Sequence, residues 1–352
     1  MHQKHPSWCW RACAILFRLI PLLAVCLIGC QGPTHSLSPD QDDLDRIAAI
    51  LNQPTEQLGK ITTTEPDRPV VELSETRIRF GDALELGECG LLPLIAERNS
   101  SLGRQKQEST RLVYEWKVQA GLNACHSLQE FQWYQEAMQS KTQDVEASVI
   151  ALLMQSEEAQ RLQSKLSRPF AGLNESSQAY AQRSQPIVRT LSHALTEASA
   201  PSSRDVTEFE NALHHWSQTQ HHGTLRQAIT ETLAWLTVAN RIQSRAINAN
   251  RLCPMGTPTS EGQIIETFLK NYFRNHLQPK WSAVMRSLDG LEHQWKQLPL
   301  TLITNEALID GLLELPSGTR HQLRMLLSTH IKQWQTILQD CDLAPRAETM
   351  NS

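Results

Sequence analysis

The densest run of side chains able to do chemistry is Glu97-Arg98-Asn99-Ser100-Ser101-Leu102-Gly103, followed closely by Arg111, Tyr114 and Glu115. A carboxylate beside two hydroxyls could supply a base and a nucleophile for hydrolysis. No histidine or oxyanion-stabilising feature accompanies Glu97, Ser100 or Ser101, so a catalytic set is incomplete. The leading reading of these residues is a hydrogen-bonded corner that fixes the angle between two helices. The functional alternative is a polar docking site for a ligand or partner. Arg111 and Glu115 lie one helical turn apart and can pair. Arg98 could reach Glu115, or cap carbonyl groups at a helix end.

Thirteen histidines raise the question of metal. His214-His215 and His221-His222 would share a face only on an unbroken helix, and Gly223 is expected to end that helix. No carboxylate or cysteine stands at ligand spacing, so the expectation is a solvated polar turn. His330 sits on an apolar stripe and reads as a core histidine with its hydrogen bonds satisfied. The chain has no HExxH, G-x-S-x-G, P-loop or GxGxxG signature. No metal or cofactor is expected, and the balance leans away from an enzyme.

The elements that must position these residues read as helices. Glycine is scarce, at 15 of 352 residues, and aromatics are 6% of the chain, which suits long helices better than a barrel or sandwich. Leu44, Ile47, Ala48 and Leu51 follow helical spacing. Residues 54–82, with Pro54, Pro66 and Pro69 and short β-branched runs, predict an extended segment laid over the helices. Asp82 and Glu85 form a capping-box pattern that would open a long helix kinked at Pro93 and stopped at Gly103. The next helix starts near Ser109 and ends at Cys125. Others are expected at 127–139, 143–166, 175–198, 205–219, 224–248, 260–275, 279–297, 302–314 and 318–341. The last shows Leu323, Leu326, Leu327, His330, Ile331, Trp334, Ile337, Leu338 and Cys341 on one stripe. The expected fold is all-α, an antiparallel multi-helix bundle. Its body divides into lobes over 43–200 and 201–345, with a disordered tail over 346–352.

The first 29 residues carry Lys4, Arg11 and Arg18, no acidic residue, and an apolar run from Leu19 to Ile28. That pattern is a secretory signal, too short to span a bilayer as a helix. Leu27-Ile28-Gly29-Cys30 resembles the bacterial lipobox, in which the thiol of the cysteine is diacylated and becomes the first mature residue. Such acyl chains anchor a protein stably. Residues 30–42 then read as a tether. Gln31, rather than aspartate, follows Cys30 and favours the outer over the inner membrane. Removal of the leader takes the net charge from −4 to −7, and no basic block remains. Nucleic acid is not an expected partner.

Of eight cysteines, Cys9, Cys13 and Cys26 leave with the leader and Cys30 carries lipid. Cys89, Cys125, Cys253 and Cys341 remain, an even number in an exported chain. Pairing Cys89 with Cys125 and Cys253 with Cys341 closes each loop within one half of the chain. The loops of about 37 and 89 residues correspond to roughly 4 and 4.5 kcal/mol of chain entropy. A four-thiolate zinc site is the rival, and it lacks any CxxC pair.

The stretch Leu94-Ile95-Ala96-Glu97-Arg98-Asn99-Ser100-Ser101-Leu102-Gly103, with Ser109, Arg111-Leu112 and Tyr114-Glu115, resembles a proteobacterial lipoprotein family, domain-of-unknown-function family 3080. Cys89, Cys125, Cys253-Pro254, Gln333-Trp334 and Cys341 match it as well, so the resemblance covers most of the mature chain. It implies a lipoprotein with no assigned activity. The expected function is therefore non-enzymatic binding or scaffolding in the cell envelope, facing the periplasm. The expected partners are the membrane, through the N-terminal lipid, and an envelope protein. The alternatives are a carrier holding a lipid or other apolar ligand between helices, or a hydrolase of unfamiliar type.

Overall fold

The computed structural model describes residues 40–59, 80–101, 103, 107–164, 176–197, 199–254 and 256–344. The leader, Cys30, most of the tether, residues 60–79 of the extended segment and the tail lie outside them. All regular structure among the described residues is helical. The helices are α1 (Gln41–Ile50), α2 (Phe80–Glu85), α3 (Leu92–Asn99), α4 (Glu108–Ala124), α5 (Gln132–Gln155), α6 (Glu157–Gln163) and α7 (Ser177–Thr196). They continue with α8 (Ser203–Ser217), α9 (His221–Ala249), α10 (Ser260–Phe268), α11 (Gln278–Trp295), α12 (Asn305–Leu313) and α13 (Thr319–Asp340). A 3-10 turn, His126–Leu128, joins α4 to α5, and a π-helical segment, Leu269–Leu277, joins α10 to α11.

Short polar side chains decide where many of these helices begin. Ser156, Ser176, Ser202, Thr259 and Thr304 each accept a hydrogen bond from a backbone amide in the first turn they precede. Each such cap is worth about 1 kcal/mol. Asp40 and Asp43 form a reciprocal capping box, so α1 starts inside what the sequence assigns to the tether.

Several expected boundaries are corrected. Asp82 lies within the short α2 instead of opening a long helix. The chain then turns, with Gly90 at φ 68°, and α3 begins afresh with Pro93 in its first turn. Pro93 kinks nothing there, because its missing N–H has no helical partner to lose. α5 runs unbroken where two helices were expected, and the break falls instead at Ser156. Likewise the helices expected at 260–275 and 279–297 are joined by the π-helical segment.

One core gathers Leu44, Leu152, Ile187, Trp216, Trp235, Leu288, Leu312 and Trp334, from either side of residue 200. The two stretches divided there share that core, so residue 200 marks a loop and not a boundary between lobes. α9 runs through its middle and packs against α13, α11, α1, α6 and α12. A smaller cluster, built on Leu86, Leu91, Val118, Leu122, Leu128 and Tyr134, surrounds the Cys89–Cys125 disulfide. The second disulfide joins Cys253 to Cys341, with Cα atoms 5.1 Å apart, and fastens the end of α13 to the α9–α10 connection. Both pairings are those expected.

His330 is the satisfied core histidine its stripe implied. Asn240 gives its amide hydrogen to the Leu326 carbonyl at 2.9 Å, leaving its Oδ1 to accept from His330 Nδ1 at 2.9 Å. Trp334 Nε1 donates to His330 Nε2 at 3.0 Å. The ring is therefore the neutral, Nδ1-protonated form, packed edge-on to Trp281 and beside Phe273 and Trp235. Burial lowers its pKa to about 3. An unfolded imidazole takes a proton near 6.5, which the folded one refuses until about 3. This contribution is full above 6.5 and is lost as the pH falls, at about 1.4 kcal/mol per pH unit. Urea unfolding between pH 7 and pH 5 will therefore show acid destabilisation, and His330→Gln will shrink the loss by about 2 kcal/mol. An unchanged slope in that variant would mean that the ring accepts a proton without cost.

Candidate binding corner

The corner forms where α3 stops and the chain returns as α4. The Ser100 amide closes α3 onto the Ala96 and Glu97 carbonyls. Ser100 Oγ donates to the Glu97 carbonyl at 2.7 Å and accepts from the Gly103 amide at 3.0 Å. Arg98 Nη1 donates to the Gly103 carbonyl at 2.9 Å. Arg98 thus braces the turn through the Gly103 carbonyl. Gly103 is dictated by space: a Cβ there would overlap the Glu97 carbonyl and sit 2.8 Å from that of Arg98.

Behind the turn lies an ionic cluster in the seam of α4 and α5. Glu115 is wholly buried. It pairs with Arg111 at 2.5 Å and with Lys141 of α5 at 3.0 Å, and Lys141 also reaches Asp144 at 2.7 Å. Burial opposes the charge on Lys141, but Glu115 and Asp144 outweigh it and hold its pKa above the ordinary value. Arg111 lies over the Tyr114 ring, 5.8 Å from its centre. Burial, and then the Glu115 charge, raise the Tyr114 pKa, while Arg98 is close enough for its charge to act the other way.

The expected residues therefore do come together, in two layers. Glu97, Asn99 and Ser100 are exposed on the turn, whereas half-buried Arg111 and buried Glu115 form the support beneath it. The Arg111–Glu115 pair was readable from its spacing. Lys141 and Asp144 were missed, because their three-residue spacing within α5 says nothing of a partner on α4. Chemically the described part of the corner is a hydrogen-bonded polar surface. Ser100 Oγ is committed to backbone groups on both sides, an arrangement that serves the turn.

The histidine pairs divide differently from expectation. His214 and His215 are exposed at the end of α8, as a solvated turn requires. His221 and His222 are buried, which overturns that reading for the second pair. Gln220 takes a left-handed conformation at φ 49° and sends the chain inward, so that α9 begins at His221. Gly223 lies inside its first turn and ends no helix; the Ser164 carbonyl approaches so closely there that a Cβ would overlap it. Trp295 Nε1 donates to Tyr180 Oη at 2.8 Å, so the phenol gives its own proton to His222 Nε2 at 2.7 Å. His221 stacks on the Tyr180 ring at 4.2 Å. Burial lowers the pKa of His221 to about 4 and that of His222 well below its ordinary range. No group of three or more metal-ligating side chains occurs among the described residues.

These features define an all-α protein with a disulfide-stapled head and its buried charges paired inward. A family model described as "Protein of unknown function (DUF3080)" matches residues 41–345, and the chain belongs to that family. It is the family that the Leu94–Gly103 motif resembles. No curated protein and no solved structure gives a match.

Two substitutions test the layers separately. Glu115→Ala leaves Arg111 and Lys141 without their shared buried carboxylate and will cost about 3 kcal/mol in urea unfolding. Ser100→Ala removes only the turn bonds and will cost about 1 kcal/mol. Equal losses would mean that the ionic cluster is not the support.

Proposed function

We propose that this protein is a lipid-anchored, periplasm-facing component of the bacterial cell envelope that binds or scaffolds another envelope protein without chemistry of its own. Attachment would be through Cys30 in its lipobox-like setting, and Gln31 favours the outer membrane. No described helix is long and apolar enough to cross a membrane, so the anchor in this reading is the lipid. The observation that carries the binding role is the corner. Glu97, Asn99 and Ser100 stand exposed on a turn already held by the Arg98–Gly103 and Ser100 bonds, the buried Glu115 cluster and the Cys89–Cys125 disulfide. A partner docking there has little left to order, which spares the entropy that docking to a mobile loop costs. The leucine and tryptophan stripes behind the carrier alternative are core: Trp216, Trp235 and Trp295 are wholly enclosed by neighbouring side chains.

In-cell crosslinking of the tagged, lipidated chain, read by mass spectrometry, tests this. A reproducible envelope partner is expected, weakened by Glu97→Ala/Asn99→Ala and lost when Cys30→Ala is combined with an ordinary secretion signal. No partner above background would remove the scaffold reading.

A further inference from the structure

A second polar surface is built from residues other than those of the corner. Gln185, Arg189, Ser192, His193 and Thr196 recur every three or four residues along α7 and so share one stripe. With Glu197, and with Gln294 and Gln297 at the end of α11, they line a groove of about 410 Å³. Val188 is the one apolar side chain among the lining residues.

Gln294 is the residue that needs explaining. It is only 7% exposed and lines the groove, yet it makes no hydrogen bond to any described residue. A carboxamide offers two donors and an acceptor with two lone pairs, and neither amide atom of Gln294 is sealed from solvent, so both are open to a ligand through the groove. The groove is the side from which a partner can reach it. Arg189 stands exposed on the same surface with no ion pair among the described residues. At the other end Glu197 uses one oxygen on His193 Nε2, at 2.8 Å. Asp205 is near enough to His193 to respond to its charge, and the carbonyl end of α7 adds further negative potential there. The groove is therefore cationic at one end, anionic at the other, and lined between them by amides and hydroxyls. Eight residues of helix separate Arg189 from Glu197, roughly 12 Å.

We propose that this groove binds a short peptide with free ends. Its carboxylate would meet Arg189, its ammonium Glu197, and its backbone amides Gln294, Gln297 and Ser192. At about 3.4 Å per extended residue, that span accommodates three to four residues. Carboxamides match the donor and acceptor pair of a peptide group, and the lining holds no tryptophan, tyrosine or phenylalanine to stack a sugar. The inference rests on the reading of this chain as a binding protein, and it adds a small ligand at a site that shares no residue with the corner.

Calorimetric titration of the full chain in detergent with tetraalanine is the test. The comparison ligands are its N-acetyl form, its C-amide form and an N-acetylglucosamine trimer. Saturable binding of tetraalanine is expected. Blocking either end, or making Arg189→Gln or Glu197→Gln, should weaken it about tenfold, the effect of one charge-assisted contact. These two side chains are exposed, so the thermal midpoint should hold. Gln294→Met, which keeps the volume and removes the amide, should weaken all peptide forms alike. The proposal is overturned by no saturation at millimolar peptide, by equal binding of the blocked forms, or by undiminished binding in both charge variants. Saturation by the trimer alone would replace the peptide with a saccharide. A crosslinked partner without peptide binding would sink this inference and leave the scaffold reading standing, and the reverse result would do the opposite.

Discussion

α9 is buried along most of its length, so many of the polar groups it carries are met from within the protein. That constraint organises much of what surrounds it. His222 is met by Tyr180, and Trp295 in turn by the same phenol. Arg226 forms an ion pair with Glu314 and donates to the Gln163 carbonyl. Asn240 bridges the Leu326 carbonyl and His330, and Gln243 donates to the His330 carbonyl. α6, α7, α12 and α13 are thereby placed against α9 by directional bonds as well as by apolar contact. A buried donor or acceptor left unmet costs about 1–3 kcal/mol, so these bonds select one packing among the many that leucine-rich helices could adopt.

The helical elements were legible because apolar spacing reports them directly, as the stripe from Leu323 to Cys341 shows. Both disulfides were legible too, since pairing within each half of the chain sufficed. Partners across helices were not. Nothing near Glu115 names Lys141, and nothing near His222 names Tyr180, because such contacts depend on which helices become neighbours. Gly223 illustrates a second limit. Glycine is as useful for close approach of another backbone as for ending a helix, and only the Ser164 carbonyl distinguishes the two. The shared core across residue 200 escaped for a similar reason: a proline and two serines mark a loop equally well within a domain and between domains.

The corner and the groove embody two different ways of presenting polarity. At the corner the exposed groups ride on a turn held by the Ser100 and Arg98 bonds, backed by a paired and largely buried ionic cluster. In the groove the Gln294 amide and the exposed Arg189 guanidinium have no hydrogen bond or ion pair to any described residue. The first arrangement offers shape, and the second offers unused bonding capacity.

The placement of α1 has a bearing on the order in which the chain assembles. Its first residues are held by groups far along the sequence: Trp235 Nε1 donates to the Asp40 carbonyl at 3.2 Å, Tyr272 Oη to Asp43 at 2.5 Å, and Lys280 Nζ to Asp43 at 3.4 Å. Glu56, just beyond it, is gripped by Arg241 and Arg245. Closing loops of this size carries the entropy of bringing distant segments together. The first of the described helices therefore has no docking surface until α9 and α11 have been synthesised. Completion of the fold waits on the second half of the chain, so α1 stays undocked until α9 and the segment from Tyr272 to Lys280 are in place.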